Sequence, residues 1–327
     1  MSSAKLTSVQ ALRGIAALMV CIFHLATHKD PSRPLLPENN PVREVAMVGP
    51  VGVFIFFVIS GFILPFAMNK SKYNIGKLGA FLIKRILRLY PPYFVLLLLT
   101  TGMLIWNNYF QGILFEFKWG EFISHIFYIT HILHFDWYNP IFWTLAIEFQ
   151  FYIFLGLIFP IWNSEKWIAR FLSVVGFIIA SWYWRDDRFL ISYIAPFVMG
   201  YAAYLIKLKR SKWIEALFYI ATSSIVIWKY FGWHWLIASI AAVFAILFLS
   251  INFKPLQYLG KVSYSLYLVH AMFGGLAIYL LMPYFTSTWG SYLTLFIGIA
   301  FSVLISEIFF RWVEQPAMKW ADKIKSR

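Results

Sequence analysis

Apolar runs of roughly twenty residues recur from one end of this chain to the other, divided by short stretches rich in lysine and arginine. They fall near 8–27, 48–68, 89–107, 119–135, 141–161, 167–184, 189–206, 213–231, 234–252, 262–283 and 290–313. A helix rises 1.5 Å per residue, so about twenty residues cross the roughly 30 Å hydrocarbon core of a bilayer. The pattern predicts an all-α protein, a polytopic transmembrane helical bundle. Proline and glycine sit where these helices are expected to end or bend, as at Pro91-Pro92, Pro160 and Pro196.

Basic residues decide how many segments cross. If all of them did, Lys207, Lys209, Arg210 and Lys212 would face the side opposite Lys84, Arg85 and Arg88, against the positive-inside tendency. The segment 119–135 is the weakest candidate, being short and carrying Glu121, His125, His131 and His134. Taken as an interfacial or re-entrant piece, it leaves about 10 spans with both termini cytoplasmic. About 20 of the 28 Lys and Arg then lie on the cytoplasmic side, and Arg13 is left inside the membrane. With this count His24 and Glu148 are expected to share a depth in the outer half of the bilayer.

Only 13% of residues are charged, against about 25% in soluble domains, and no polar run is long enough for a second unit. Residues 1–327 are read as a single integral membrane domain. Lys5 followed by an apolar run has the outline of a signal peptide, but Arg13 interrupts the run and no cleavage pattern follows, so a retained span is expected. Cys21 is the single cysteine, which excludes an internal disulfide. The net charge of +14 follows from basic residues at helix ends, and nothing resembles a nucleic-acid groove.

Candidate chemistry lies where ionisable side chains interrupt the apolar runs, because such groups are costly in hydrocarbon. Arg13 and His24 are eleven residues apart in the first run, close to three turns, and so share a stripe with Gln10 and Ala17. His24 suits a general base or a transient acyl carrier, and Arg13 an anionic partner. Thr144, Glu148 and Tyr152 follow at i, i+4, i+8 on one face, and Glu148 needs a cationic partner, either His24 or Arg13. Arg85 and Arg88 at i, i+3 make a phosphate-binding fork at the edge of the third span, where topology alone also accounts for basic residues. Ser263, Tyr267 and His270 share a face of the ninth span and are read with the arginine fork as binding a donor, against the plainer option of a hydrogen-bonded core histidine. Ser60-Gly61 reads as a close helix approach. His24 and His28 have the spacing of a metal pair, but no third ligand is evident, so no metal is expected.

Taken in order, these pieces are specific. Gln10-Ala-Leu-Arg13-Gly-Ile-Ala-Ala with His24, Phe56-Phe-Val-Ile-Ser60-Gly61-Phe62, Arg85-x-x-Arg88-Leu-Tyr-Pro91, Trp143-Thr-Leu-x-x-Glu148-x-Gln-Phe-Tyr152 and Ser263-Tyr-Ser-Leu-Tyr-Leu-x-His270 closely resemble the acyltransferase-3 family of integral membrane proteins. The likeness is greatest to stand-alone bacterial members that O-acetylate exopolysaccharide, lipopolysaccharide or Nod-factor sugars. It implies a ten-helix fold in the cytoplasmic (inner) membrane and acyl-CoA, by default acetyl-CoA, as a donor substrate rather than a resident cofactor. The acceptor implied is a hydroxyl of a sugar or polysaccharide, free or lipid-linked, at the outer face. The family's essential histidine falls on His24, its first-helix arginine on Arg13, its arginine pair on Arg85 and Arg88, and its acidic motif residue on Glu148. Phe54, Phe149 and Gln150 depart from the more polar residues common at those places, which concerns acceptor contacts.

The mechanism expected from these residues has acyl-CoA phosphates at Arg85 and Arg88, the pantetheine arm passing Arg13, and His24, oriented by Glu148, acting on the acceptor hydroxyl. Intramembrane Arg, Glu and His suit equally a transporter or flippase for a lipid-linked glycan or anionic solute. No inverted repeat is visible, and the motif set favours the transferase.

Overall fold

A computed structural model describes residues 3–28, 33–113 and 116–324. Among these residues there is no strand; backbone groups in hydrocarbon must be satisfied within their own segment, and helices do this. The helices are α1 (Ser3–Ala26), α2 (Pro41–Ala46), α3 (Gly52–Lys70), α4 (Leu78–Phe110), α5 (Trp119–Ile126), α6 (Phe142–Trp162), α7 (Trp167–Tyr183) and α8 (Ile194–Lys207). They continue as α9 (Trp213–Phe231), α10 (Trp233–Phe248), α11 (Lys254–Lys261), α12 (Ser263–Val269), α13 (Gly275–Leu281), α14 (Thr288–Phe309) and α15 (Gln315–Lys323). Two π-helical segments, His270–Gly274 and Phe310–Glu314, join α12 to α13 and α14 to α15.

Eight helical stretches among the described residues are long and apolar enough to cross a membrane, so the chain is a multi-pass membrane protein. The two other expected spans are helices of 17 and 16 residues, α7 and α10. Both turn large apolar side chains outward, including Leu172, Ile179, Ile237 and Phe244. The segment 119–135 forms only the eight-residue α5 followed by turns, far too short to cross. Its His125 is a satisfied core group: Nδ1 donates to the Glu121 carbonyl at 2.8 Å, and Nε2 accepts the Tyr138 N–H at 3.0 Å.

Two boundaries differ from expectation. The third span begins at Leu78 rather than near 89, and Pro91 and Pro92 lie inside α4. Pro91 and Pro92 withhold the N–H groups that the Leu87 and Arg88 carbonyls would accept, a loss that a membrane helix packed among neighbours tolerates; one residue on, the Leu89 carbonyl accepts from the Tyr264 hydroxyl at 2.8 Å and ties α4 to α12. Lys84, Arg85 and Arg88 therefore sit within the helix, not at its edge. The residues after the last apolar run do not simply trail away: most of them form α15, which folds back onto α4 with Ala317 and Ala321 buried; residues 325–327 lie outside the described residues.

Small residues set the depth of packing. A Cβ on Gly61 would lie 2.0 Å from the Phe197 carbonyl oxygen, and one on Gly200 would lie 2.0 Å from that of Val58, so α3 and α8 pack backbone to backbone. The same device joins α1 to α11, where a Cβ on Gly260 would lie 1.8 Å from the Gln10 carbonyl oxygen. That approach delivers the start of α12 to the polar stripe of α1. The bundle has a near end, where α1 starts, and a far end, where α1 finishes.

Candidate active site

Three guanidinium groups converge on one cavity. Arg13 comes from α1 and Arg85 and Arg88 from α4; Ser60, Thr144, Glu148, Tyr152, Ser263, Tyr264, Tyr267 and Glu314 complete its polar lining. The cavity and its opening to solvent together hold about 890 Å³ of space free of protein atoms. Its lining on α3 runs from Leu64 toward the near end to Val53 toward the far end. The eleven helical steps between them rise about 16 Å, so the cavity follows much of the bundle's depth.

The cations outnumber the anions that face them. Arg13 donates Nε–H to Ser263 Oγ at 3.2 Å. Arg85 lies over the Phe81 and Tyr152 rings at 5.4 and 5.9 Å, and its buried Nε has no hydrogen-bond partner. Neither carboxylate forms an ion pair with the three arginines. Glu148 accepts from Ser60 Oγ at 3.0 Å and Tyr152 Oη at 2.6 Å. Glu314 accepts from the Ser265 N–H at 3.1 Å and Ser265 Oγ at 2.6 Å. An unpaired buried charge costs several kcal/mol, so three guanidinia in one such space favour an anionic guest with oxygens for their N–H groups.

A second polar group lies outside the cavity lining. Near the far end of α1, His24 Nδ1 is 3.0 Å from the Val20 carbonyl oxygen and 3.0 Å from His270 Nε2. His270 is fully buried, with Nδ1 3.0 Å from the Leu266 carbonyl oxygen. A π-helical turn starts at His270, a feature found frequently at functional sites. Between the two groups stand Phe56 and Tyr267, edge to face at 5.9 Å, with Tyr267 also 5.9 Å from the His270 ring. Thr144 donates to the Ile141 carbonyl at 2.9 Å and so receives the Tyr267 hydroxyl proton at 2.6 Å.

Several expectations meet here. Arg13, Arg85, Arg88, Glu148, Ser263 and Tyr267 do come together, and Thr144, Glu148 and Tyr152 share the cavity face. The expected pairing of Glu148 with His24 is not found. Gly52 packs on Ala16 and Val20 of antiparallel α1, and Ser60, which holds Glu148, lies eight residues or about 12 Å further toward the near end. Glu148 is therefore level with Arg13, and the expected shared depth with His24 is corrected. His270, read with the donor-binding set, contacts His24 instead of lining the cavity. Ser263 and His270 do share the α12 face that meets α1, one on Arg13 and the other on His24.

Glu314 was not legible as a site residue. It follows the last apolar run among Arg311, Gln315 and Lys319, as a cytoplasmic residue would. Only the second π-helical turn and the return of α15 bring it, 2% exposed, into the cavity wall. A lone acid in a basic stretch followed by Gln-Pro was the available signal.

An apolar bundle thus encloses an arginine-lined cavity, with an imidazole pair beyond it, in an integral membrane protein. The family model described as an acyltransferase domain, Acyl_transf_3, matches residues 6–311, and the chain belongs to that family. It is 23% identical over 95% of its length to the peptidoglycan O-acetyltransferase OatA of Listeria monocytogenes, covering 56% of that protein. It is 25% identical over 95% of its length to a Staphylococcus aureus protein provisionally named an O-acetyltransferase, covering 57% of it. A protein of Acidianus two-tailed virus, provisionally named an acetyltransferase, is 25% identical over 81% of this chain and 82% of its own length. The chain thus spans little more than half of the two bacterial relatives. No solved structure matches it.

Proposed function

We propose that this acyltransferase carries an acyl group, by default acetyl, from acyl-CoA at the near end to a hydroxyl of a sugar or polysaccharide at the far end. The observation that carries this is the cavity of unpaired arginines extending along the bundle toward His24. The phosphates of acyl-CoA supply the oxygens that Arg85, Arg88 and Arg13 lack, and the neutral pantetheine arm occupies the remaining depth. Glu148 and Glu314, tied down by Ser60, Tyr152 and Ser265, limit the excess positive charge without closing on the arginines. The acceptor oxygen attacks the thioester carbon while His24 takes its proton; the C–S bond breaks, and His24 returns the proton to sulfur. Ester and free thiol are the products. The names of the relatives favour O-acetyl transfer, and the basic residues at the near end favour a cytoplasmic donor with both termini in the cytoplasm of a bacterial inner membrane.

The test is transfer from acetyl-CoA labelled in the acetyl group, with membranes containing the protein and a polysaccharide or lipid-linked sugar acceptor. Thiol release and base-labile label on the acceptor are expected, both absent from control membranes. Solute movement with the thioester intact would replace this reading with transport.

A further inference from the structure

We propose that His270 is the positioning residue for His24, and that the two imidazoles form a dyad in which a neutral histidine does the work a carboxylate does in other catalytic triads. The inference rests on His24 being the proton acceptor, and it concerns how that role is made possible. A carbonyl oxygen can only accept. His270 Nδ1, 3.0 Å from the Leu266 carbonyl, therefore carries its hydrogen, and His270 Nε2 offers a lone pair. That lone pair faces His24 Nδ1 at 3.0 Å, and the Val20 carbonyl faces the same nitrogen at 3.0 Å. Both neighbours require the hydrogen on His24 Nδ1. The remaining ring nitrogen, Nε2, is then the bare base that an acceptor hydroxyl needs.

The two neighbours do different jobs. The Val20 carbonyl belongs to the same helix and already serves the α1 backbone four residues on, so it biases the tautomer without fixing the ring against anything else. His270 stands on another element, is buried and is itself anchored to Leu266, with the two ring planes inclined at 44°. It thereby holds the His24 ring in one plane relative to α12. Among the described residues no carboxylate forms an ion pair with either ring. When the acceptor O–H bond breaks, its proton goes to His24 Nε2. The resulting imidazolium keeps its Nδ1–H, and the His270 lone pair takes up part of the charge. The Nε2 proton then leaves with the departing thiolate, and both rings return to their starting tautomers.

His270→Leu removes the lone pair, and His270→Gln keeps an acceptor oxygen near the place of Nε2. Losing the group that holds a catalytic imidazole in its working tautomer costs up to about 10⁴-fold in kcat. The expected result is a fall in kcat of about 10²–10⁴-fold for His270→Leu, a KM for acetyl-CoA within about twofold of the parent, and at least tenfold recovery in His270→Gln. Near-normal kcat in His270→Leu, a rise in KM alone, or equal loss in both variants would overturn the dyad. Nitrogen NMR of the unaltered protein with ¹⁵N-labelled imidazoles avoids any folding defect: the His24 resonance, assigned by its loss in His24→Gln, should report hydrogen on Nδ1. Hydrogen on Nε2 would overturn the proposal. The parent reading fails separately, if His24→Ala still transfers; a dead His24→Ala beside an unaffected His270→Leu removes the dyad alone.

Discussion

His24→Ala abolishes transfer to the acceptor while leaving acetyl-CoA binding nearly unchanged. General base catalysis by one positioned imidazole is worth about 10²–10⁴-fold. The imidazole nearest to His24 cannot take over, because His270 is spent on Leu266 and His24. The His24 side chain is part-exposed on the last turns of α1, where the packing of α1 on α3 is carried by Ala16, Val20 and Gly52. Truncation at His24 leaves those contacts in place, so folded yield should match the parent. The check is paired: label transfer from acetyl-CoA and equilibrium binding of acetyl-CoA, on the same detergent preparation. Transfer within tenfold of the parent would remove His24 from the chemistry.

Replacing Arg85 and Arg88 together by Gln gives the opposite signature, with binding lost and the reacting centre intact. Each charge-assisted hydrogen bond contributes about 1.5–3 kcal/mol, so removing two guanidinia weakens acetyl-CoA binding by about 10²–10⁴-fold. The KM for acetyl-CoA rises accordingly, and saturating donor restores much of kcat. Because Arg85 and Arg88 make no ion pair among the described residues, their removal strands no carboxylate, and folding should be spared or improved. Acetylated pantetheine, which lacks the nucleotide phosphates, makes the control and should react equally poorly with parent and variant. A variant that binds acetyl-CoA as the parent does would place the phosphates elsewhere.

The fold was legible because hydrocarbon leaves few choices. Runs of twenty apolar residues with basic ends read as helices, and the weak run at 119–135 was recognisable from its histidines and acid before α5 showed how short it is. Residues on one helix were also legible: Thr144, Glu148 and Tyr152 share a face because 3.6 residues make a turn. What failed was the relation between helices. The depth of Glu148 against His24 depends on how far α1 slides along α3, which is set by the contact of Gly52 with Ala16, and no periodicity encodes it. A π-helical turn broke the regular register before Glu314 and brought it into the cavity wall, whereas His270 keeps the face it shares with Ser263 and meets His24 through the packing of α12 on α1. Pro91-Pro92 misled in the other direction, since proline punctuates soluble helices but lies inside the 33-residue α4.

The most direct measurement is a cryo-electron microscopy map of the protein with a non-hydrolysable acetyl-CoA analogue. The expected map has the nucleotide phosphates within hydrogen-bond distance of Arg85 and Arg88, the arm running past Arg13, and the acyl carbon beyond Tyr267 beside His24 Nε2. Phosphates bound away from those arginines, or an acyl group held at Glu148 with the Phe56 and Tyr267 rings closed between it and His24, would contradict the assignment.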